Sequence, residues 1–536
     1  MKANLSLLAI KILTGTLFLS LCVLIYAPSF KLHFLLLDDG LTILNARMLI
    51  TGLTHLNWNT LASVFLEPLN GRVRPGYWLI QSIFSYLSFY NSYLFHFLRF
   101  LLLLATFAIS YKFLEKLRVP YLIILFSLFI FLFNIQNFEN YYRLGPVEPL
   151  TIFLSVLIYY FLFFRPFNLK ISLTILAFST VLGGLTKENF FLIGLSLVPL
   201  LFVSDIQKDK LLRTKVVVVI ASSMVVGGIV FLIRASYPTG GVYASNYIIK
   251  TSSIFANTIS YLKMIQFAQT PVFEISAIYS VYAFYLFLKN GVKNAVRVDL
   301  IFFTLWSIFI IQLLALSPWS FVLNRYLAFV NIDLILIYAI TVNGIYILIT
   351  DKFKVIKKFG RHLIMIVVFA ILLTKMSVRN FFNIANYQLY SETDSEISYL
   401  SVKSLAQYVP ENAVVYVNYK KGDSNIEIYE ETKWHLKLFY NRNDINFEYL
   451  DDSNLCTKNP RYIFDRSSDR FLDKNILKQS KNISLVKSGE SIYKPINSGI
   501  VMHSFMDRYR YAGWNASYSF DWSIYLQKGG SCIEKN

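Results

Sequence analysis

The feature that most constrains this chain is a series of apolar runs, each near the length of about 20 residues that a helix needs to cross a bilayer. Eleven such runs occur, at 7–29, 93–111, 120–134, 147–164, 171–186, 189–203, 216–233, 271–288, 298–316, 327–349 and 363–379. Charged residues make up 15% of the chain, against about 25% in soluble domains. The sequence therefore predicts a polytopic α-helical membrane protein with about 11 transmembrane helices, and it excludes an ordinary soluble enzyme and a disordered chain. The first run has no small-residue cleavage site, so we expect a retained helix rather than a removed signal peptide.

The distribution of positive charge indicates how the helices are oriented. Residues 1–379 carry the whole net charge of +19, with 32 Lys and Arg against 13 Asp and Glu, whereas residues 380–536 have 19 of each. Lys and Arg concentrate in cytoplasmic loops, and here they concentrate in the N-terminus and in 112–119, 165–170, 204–215, 289–297 and 350–362. The opposite loops and the C-terminal region would then lie outside. Positive charge in short loops favours membrane lipids as a partner and argues against nucleic acid, which would need a basic patch on a soluble domain.

Two further apolar segments do not fit as membrane crossings. If 30–75 is outside and 112–119 is inside, an odd number of crossings must join them, although 76–89 and 93–111 are both apolar. We expect the short, aromatic segment 76–89 to lie in the outer interface as a juxtamembrane helix. The first outer loop would then run over 30–92. By the same reasoning, 254–270 is interpreted as amphipathic rather than spanning.

The composition becomes polar near residue 380, which predicts a transmembrane domain at 1–379 and an extracytoplasmic soluble domain at 380–536. The second domain is long enough for its own core. It is expected to be mixed α/β, with strands at Ala413–Tyr419, Asn446–Leu450, Tyr462–Asp465, Ile483–Val486 and Trp522–Leu526 and a helix at Glu427–Tyr440. Cys456 and Cys532 lie in this domain and could pair in an oxidising compartment or stay free. Cys22 lies in an apolar run and is expected to be inert.

Asp38–Asp39–Gly40 directly follows the first apolar run and is the most informative motif. Carboxylates are costly to move toward hydrocarbon, so two adjacent acids at an outer membrane boundary are uncommon. One interpretation is a solvated stop signal at a helix end. The functional interpretation is a general base that takes a proton from an incoming hydroxyl group.

Charged residues recur at the other outer boundaries. Arg72 and Arg74 precede Pro75 and suit a phosphate through forked hydrogen bonds, although they could simply snorkel to headgroups. The loop after the third run carries Glu139, Arg143 and Glu148. Because Glu148 begins the next helix, it could be a cap favoured by the helix dipole or a second functional acid.

Two later motifs add cations and an aromatic ring. Lys187–Glu188 lies between two apolar runs with almost no loop, so it could form a structural ion pair or provide a lysine that holds a lipid phosphate. Arg325–Tyr326 enters a late run, and Arg325 could neutralise a leaving phosphate or snorkel. Motifs for nucleotide binding, for serine hydrolases and for HExxH zinc enzymes are absent. The six histidines show no metal-ligand spacing.

In this order, the motifs resemble the GT-C membrane glycosyltransferases, in particular glycosyltransferase family 39, the protein mannosyltransferase and aminoarabinose transferase-like group. The resemblance rests on Asp38–Asp39 after the first helix, Arg72–Pro75 opening an outer helix, the acidic loop Glu139–Glu148, Gly183–Glu188 and Arg325–Tyr326. It covers about 1–350. One departure is a glutamate in RLGPVEP where an aspartate is commoner.

The resemblance implies an inverting transfer of a sugar from a polyprenyl-phosphate donor to a hydroxyl group of a lipid, glycan or protein acceptor on the outer face. It makes Asp38 the base with Asp39 assisting, and Glu139 and Glu148 further catalytic candidates. Lipid-phosphate candidates are Lys187, Arg325, Arg74, Arg143, Arg72 and Tyr326. No metal follows from the sequence, although some relatives use a divalent cation with paired acids.

The location expected for such a protein is a bacterial cytoplasmic membrane, since the chain is compact and shows no retention signal. A transporter or flippase of lipid-linked precursors is the alternative function, because such proteins also carry charges within the membrane. Here most ionisable groups lie at outer boundaries, which favours the transferase. A non-catalytic assembly protein, whose C-terminal domain binds a partner, is a third possibility.

Overall fold

Among the residues that the structure describes, helices occupy most of the chain up to residue 408, and every strand lies after it. The computed structural model describes residues 2–35, 39–66, 74–164, 166–236, 251–269, 272–290, 297–318, 324–352, 360–419, 426–466, 471–494 and 518–533. The chain divides into two compact units. The helical unit consists of Met1–Tyr26, Thr51–Ile80 and Phe97–Ile384, and the mixed unit consists of Ala27–Ile50, Gln81–His96 and Ala385–Asn536. Two segments of the predicted first outer loop therefore belong to the same unit as the C-terminal region.

Seventeen α-helices precede the first strand in the part of the chain that the structure describes. They are α1 (Lys2–Tyr26), α2 (Asp39–Thr54), α3 (Trp58–Leu66), α4 (Pro75–Leu87), α5 (Ser92–Lys116), α6 (Tyr121–Leu132), α7 (Ile135–Tyr142), α8 (Glu148–Phe163), α9 (Leu169–Thr186), α10 (Leu192–Leu197), α11 (Ser204–Lys208), α12 (Lys210–Ser236), α13 (Thr251–Gln269), α14 (Val272–Asn290), α15 (Arg297–Leu316), α16 (Ala328–Lys352) and α17 (Gly360–Tyr408). Each predicted apolar run coincides with helical structure.

Six helical segments of the described chain are long and apolar enough to cross a membrane. They are Lys11–Lys31, Ser92–Lys116, Leu169–Thr186, Lys210–Ile233, Val298–Leu316 and Arg325–Leu348. The pair α6 and α7 would make a seventh as one broken span, and three shorter apolar helices lie at Glu148–Phe163, Glu188–Phe202 and Val272–Leu286. The count of 11 crossings and their orientation stay predictions. Helix α4 has 13 residues, or about 20 Å of length, which is too short to cross.

The predicted span 120–134 ends at a sharp bend, and the predicted span 189–203 is interrupted. Helices α6 and α7 meet at an angle of 68°, and the side chain of Asn134 between them caps α7 by accepting a hydrogen bond from the Gln136 amide. The run 189–203 is a 3-10 turn, the six-residue helix α10 and a second 3-10 turn. Pro199 lies at the start of that second turn, and proline lacks the amide that an α-helix interior needs.

A five-stranded sheet forms the centre of the mixed unit, which confirms the expected α/β character of the C-terminal region. Its strands are β1 (Val414–Val417), β2 (Asn446–Tyr449), β4 (Arg461–Asp465), β5 (Ile483–Tyr493) and β6 (Tyr518–Gln527), in the spatial order β2-β1-β4-β6-β5. The first three strands are parallel, and β4-β6-β5 are antiparallel. Helix α18 (Ile426–Tyr440) provides the crossover between β1 and β2 that a parallel pair requires.

Three small elements of this region were not predicted, because each is too short to show periodicity. They are α19 (Lys474–Gln479) and the two-residue strands β3 (Cys456–Thr457) and β7 (Ser531–Cys532). The short strands pair antiparallel with Cys456 opposite Cys532. These cysteines form a disulfide that closes a sequence separation of 76 residues, which resolves the choice that the sequence left open. Cys22 is free and buried.

The core of the mixed unit lies between the sheet and two helices. Val415 and Val417 of β1 pack with Ile524 of β6, with Leu405 of α17 and with Leu436 of α18, and all five are buried. These positions alternate along β1, as a strand with one face on a core requires. Helix α18 thereby packs its apolar side against the sheet. The side chains on its other side do not contribute to this core.

Candidate functional site

The predicted site residues fall into both units. Asp38 and Arg72 lie outside the described residues. Asp39 belongs to the mixed unit. The other seven belong to the helical unit, and these are Arg74, Glu139, Arg143, Glu148, Lys187, Arg325 and Tyr326.

Glu148 and Lys187 form a buried ion pair in the helical unit. Lys187 Nζ donates to Glu148 Oε1 at 2.8 Å, and the two side chains are 9% and 4% exposed for lysine and glutamate. Glu148 is the first residue of α8 and Lys187 is the C-cap of α9. An acid at a helix start and a base at a helix end are each favoured by the helix dipole. The helix-end interpretation of Glu148 therefore applies, and Lys187 does form an ion pair, although its partner is Glu148.

Arg74 and Glu188 form a second ion pair beside the first. Arg74 Nη2 lies 3.3 Å from Glu188 Oε2, and both side chains are less than one-fifth exposed. Gly76, the second residue of α4, allows this arrangement, because a Cβ there would lie only 2.9 Å from the Leu182 carbonyl oxygen of α9. The structural interpretation of the sequence paired Lys187 with Glu188. The structure instead pairs Lys187 with Glu148 and Glu188 with Arg74. Glu148 begins α8, and Arg74 directly precedes α4.

Helix α7 and its C-cap residue contribute a third carboxylate and a third cation. Arg143 Nη1 lies 3.6 Å from Glu139 Oε1, one helical turn away, with side chains 15% and 2% exposed for arginine and glutamate. Arg325 interacts electrostatically with Glu139 and with Glu148. The two predicted acids of this loop are therefore connected through one cation.

The Tyr326 ring lies close to two cations. Its centroid is 5.3 Å from Lys187 Nζ and 5.6 Å from Arg325 Cζ. Both distances are within the range in which a ring face attracts a cation. Arg325 and Tyr326 lie in the 3-10 turn Asn324–Leu327 that precedes α16. The sequence grouped these residues as one motif, and the structure adds Lys187 to it.

A buried amide network joins α7 to α16. Asn140 Nδ2 donates to the Arg325 carbonyl oxygen at 2.8 Å. Asn331 Nδ2 donates to Gln136 Oε1 at 2.9 Å and to Asn137 Oδ1 at 3.1 Å. Buried amides of this kind are expensive to leave unpaired, so they set a unique register. The network fixes Arg325 relative to the helix that carries Glu139, and sequence analysis did not identify it.

Arg99 holds the loop between Glu139 and Glu148. Its guanidinium is buried and donates to the carbonyl oxygens of Leu144 and Pro146, the latter at 2.6 Å. Tyr77 Oη donates to the intervening Gly145 carbonyl oxygen at 2.7 Å. Sequence analysis missed Arg99. Its position as an arginine inside an apolar run was the sequence feature that could have indicated a buried role.

Asp39 stands at the start of α2 in the mixed unit. It is buried, and its Oδ2 accepts a hydrogen bond from the Leu35 amide at 2.9 Å. As the first residue of a helix it also lies where the dipole favours an anion. The side chain of Asp39 thus joins the start of α2 to the backbone of Leu35.

The charges of the helical-unit cluster, Arg74, Glu139, Arg143, Glu148, Lys187, Glu188 and Arg325, define its chemistry. Its described members are four cations and three carboxylates. Arginine and lysine gathered in this way suit phosphate oxygens. Within the described residues, no group of three His, Cys, Asp or Glu could hold a metal ion.

A comparison with solved structures identifies the fold. The crystal structure of ArnT from Cupriavidus metallidurans bound to undecaprenyl phosphate aligns with a TM-score of 0.50 at 10% identity, over 88% of this chain and 96% of that one. The apo structure of the same aminoarabinose transferase gives a TM-score of 0.48 at 12% identity, over 84% and 92% of the two chains. The chain has the GT-C fold. No protein-family model and no curated protein matches its sequence.

This fold and the apolar helices make the protein an integral membrane protein. The GT-C resemblance drawn from the sequence is therefore confirmed at the level of fold. At 10% identity, the likeness carries no information on which sugar or acceptor is used.

Proposed function

We propose that this protein is an integral-membrane glycosyltransferase that moves a sugar from a polyprenyl-phosphate donor to a hydroxyl acceptor on the outer face of the membrane. The ArnT fold supports this proposal, because the similar structure contains undecaprenyl phosphate. The observation that carries it is the helical-unit cluster, in which Lys187 and Arg325 both lie close to the Tyr326 ring and interact with Glu148. The acceptor would be a lipid, a glycan or a protein.

The cluster is suited to the phosphate that leaves during transfer. In an inverting reaction the acceptor oxygen bonds to the anomeric carbon while the bond from that carbon to the phosphate oxygen breaks. Negative charge then grows on the polyprenyl phosphate, and cations already fixed nearby stabilise that transition state most. Lys187 and Arg325 are the principal candidates, joined by the Tyr326 ring, and Arg74 and Arg143 extend the site.

Asp38 is our candidate for the general base, with Asp39 orienting it. The acceptor hydroxyl would lose its proton to the Asp38 carboxylate as it attacks, and the proton would then pass to water. A carboxylate with an ordinary pKa near 4 is a weak base. It suffices when proton removal lags behind cleavage of the bond to phosphate, since the hydroxyl becomes more acidic as its new bond forms.

An outer location for the mixed unit is supported by its disulfide. Disulfides form and persist in oxidising compartments and are rare in the cytosol. The pair Cys456–Cys532 therefore favours an extracytoplasmic C-terminal region, in agreement with the Lys and Arg bias of the loops. A bacterial cytoplasmic membrane stays our expectation, and so does the option that a divalent cation assists the acids.

The test uses purified protein in nanodiscs with a panel of radiolabelled polyprenyl-phosphate sugars and an envelope extract as acceptor. Wild-type protein should release polyprenyl phosphate, Asp38→Asn should release at least about 100-fold less, and both should keep the same melting temperature. Lys112→Ala is the control, because this lysine is exposed and paired with Glu115 far along α5 from its start. Full activity of Asp38→Asn would reject the base, and an inactive, folded wild type would reject the proposed function.

One observation favours the transporter alternative. Asp333 of α16 is fully buried and accepts a hydrogen bond from Tyr159 Oη at 2.7 Å. It lies about 12 Å along the helix from Arg325 by helical rise, and buried acids at such depth mark transport pathways in many membrane proteins. Asp333→Asn keeps the acceptor for Tyr159, so a transferase should retain most of its turnover. Loss of lipid flipping in proteoliposomes by this variant would instead favour transport.

A further inference from the structure

Helix α7 is too short to define its own position. It has eight residues, whereas an isolated helix needs about 12–15 residues to be even marginally stable in water. It meets α6 at an angle of 68° rather than continuing it. The helix carries Glu139, and Arg143 is its C-cap. The positions of these two charges therefore depend on the contacts that anchor α7 within the helical unit.

Asn331 of α16 joins three helices through a single side-chain amide. Its Nδ2 donates to Gln136 Oε1 at 2.9 Å and to Asn137 Oδ1 at 3.1 Å, both on α7. Its Oδ1 accepts a hydrogen bond at 2.6 Å from Nε2 of Gln269, the last residue of α13. An asparagine amide has two N–H donors, so α7 takes both donors of Asn331 and α13 binds its oxygen.

The two α7 amides extend this network to the backbone of neighbouring helices. Gln136 Nε2 donates to the Met264 carbonyl oxygen of α13 at 3.1 Å, and Asn137 Nδ2 donates to the Phe131 carbonyl oxygen of α6 at 3.0 Å. Both residues are at most 1% exposed. A buried polar group that loses its partner costs about 1–3 kcal/mol, and a shift of α7 would break several of these bonds at once. The network therefore favours a single position of α7.

Asn140 connects this anchored helix to the turn that carries Arg325. Its Nδ2 donates to the Gln136 carbonyl oxygen within α7 at 2.9 Å and to the Arg325 carbonyl oxygen at 2.8 Å. Carbonyl oxygens only accept, so the orientation of the Asn140 amide follows from its partners. The turn Asn324–Leu327 has four residues, and this bond fixes its backbone relative to α7. The Arg325 guanidinium keeps its contact with the Tyr326 ring, whose centroid is 5.6 Å from Cζ.

We propose that Asn140 and Asn331 are positioning residues that fix the Arg325 backbone relative to α7 and thereby hold the cations of the helical-unit cluster in one arrangement. This inference deepens the proposed function and rests on it, because the position of Arg325 matters to the reaction only if Arg325 meets the leaving phosphate. Neither amide needs to touch the substrate. A misplacement of about 1 Å can reduce a rate about 100-fold, so a network that prevents such shifts contributes to catalysis from outside the cluster.

The first readout is independent of catalysis. Hydrogen exchange is measured by mass spectrometry on the peptide that contains the turn Asn324–Leu327, for wild type and for Asn140→Ser in nanodiscs. A serine hydroxyl has one donor, which can serve the Gln136 carbonyl one turn earlier in the helix, so the bond to the Arg325 carbonyl is the one that is lost. We expect the amides of the turn to exchange about 5-fold faster, which corresponds to one neutral hydrogen bond.

Ser127→Ala is the matched control. Ser127 of α6 is also buried, and its Oγ donates to the Ile123 carbonyl oxygen at 2.8 Å. This variant also loses a buried hydrogen bond to a backbone carbonyl, but that bond lies within one helix. Hydrogen exchange in the turn Asn324–Leu327 and turnover should therefore both match wild type in this variant.

The second readout is turnover of the polyprenyl-phosphate sugar, measured per folded molecule. Asn140→Ser should lower kcat about 10- to 100-fold with the KM for the donor within about 3-fold of wild type, because Arg325 meets the charge that grows on the phosphate as its bond to the sugar breaks. For the same reason, binding of undecaprenyl phosphate should weaken at least about 5-fold. A purely structural role would lower the amount of folded protein and leave kcat and this affinity unchanged.

A double-mutant cycle tests whether the two asparagines act on the same element. Asn331→Ala should lower kcat by a similar factor. The double variant with Asn140→Ser should be little worse than either single variant, since both substitutions release the same turn. Effects on kcat that multiply would show two separate roles and overturn the shared one. If Asn331→Ala does not fold, Asn140→Ser decides the proposal by itself.

Two further results overturn the proposal. Unchanged hydrogen exchange in the turn of folded Asn140→Ser would show that the amide does not hold Arg325. A kcat of Asn140→Ser equal to that of Ser127→Ala would show that holding the turn does not matter for the reaction. Inactivity of the wild type on every donor would reject the proposed function, and the exchange result would still decide whether Asn140 holds the turn.

Discussion

Substitutions at Lys187 and Glu148 can separate the contribution of this ion pair to stability from its contribution to catalysis. Removing only one partner, as in Lys187→Met, leaves a carboxylate that is 4% exposed without its cation. Breaking a buried pair in this way costs about 3–5 kcal/mol. The double variant Lys187→Met/Glu148→Gln removes both charges at nearly constant volume, and such replacements are close to neutral in stability. We therefore expect the second substitution to restore most of the lost free energy of unfolding.

Activity should behave differently from stability. If Lys187 stabilises the leaving phosphate, its loss removes a preorganised charged donor, which is worth about 100- to 1000-fold in kcat. The double variant should then be stable and still inactive. If the lysine serves only to pair Glu148, the double variant should recover both stability and turnover.

The assay combines unfolding in mixed detergent micelles with donor turnover in nanodiscs on the same four proteins, which are wild type, both single variants and the double variant. The pair of Lys112 with Glu115 is a matched control, since its N–O distance is also 2.8 Å but its side chains are 57% and 45% exposed. The single and double substitutions of Lys112 and Glu115 should give a coupling free energy of less than about 1 kcal/mol in stability, and all of these variants should keep wild-type turnover. A double variant at Lys187 and Glu148 with more than about one-third of wild-type kcat would refute the phosphate role.

Three further predictions concern stability and the loop that carries the acids. Replacing Cys456 and Cys532 by serine should lower the unfolding free energy of the mixed unit by about 4 kcal/mol by loop entropy, measured by chemical unfolding with and without reductant; equal stability would contradict it. The Arg442 guanidinium holds the pKa of Asp444 well below its usual range, so this carboxylate stabilises the unit above its ordinary pKa near 4 and the contribution declines as the pH falls below that value. Asp444→Asn should flatten the acid limb of a melting-temperature profile below about pH 4, and an unchanged limb would argue against it. Arg99→Ala should reduce kcat at least 10-fold, or about 1.4 kcal/mol, with partial recovery in Arg99→Lys, whereas full activity in the alanine variant would show that the loop needs no such anchor.

Periodicity and composition predicted most of the long helices and the main strands. The apolar runs predicted the long helices, and Pro75 correctly marked the start of α4. The five strands and α18 also lie where alternation and β-branched residues indicated. The run 189–203 was wrong as one continuous α-helix, because a proline inside it outweighs its hydrophobicity. The pairing of Cys456 with Cys532 stayed open, since pairing depends on which strands become neighbours.

The sequence by itself determined that this chain enters a membrane and that its C-terminal region contains an α/β sheet. These properties follow from local hydropathy, charge and spacing, which act over a few residues. Only the tertiary structure decided which residues become partners, since Lys187 binds Glu148 rather than the adjacent Glu188 and Glu431 accepts a hydrogen bond from the Leu41 amide. Such pairings arise from the packing of helices that are far apart in the chain, and their energy depends on burial, which no local pattern encodes.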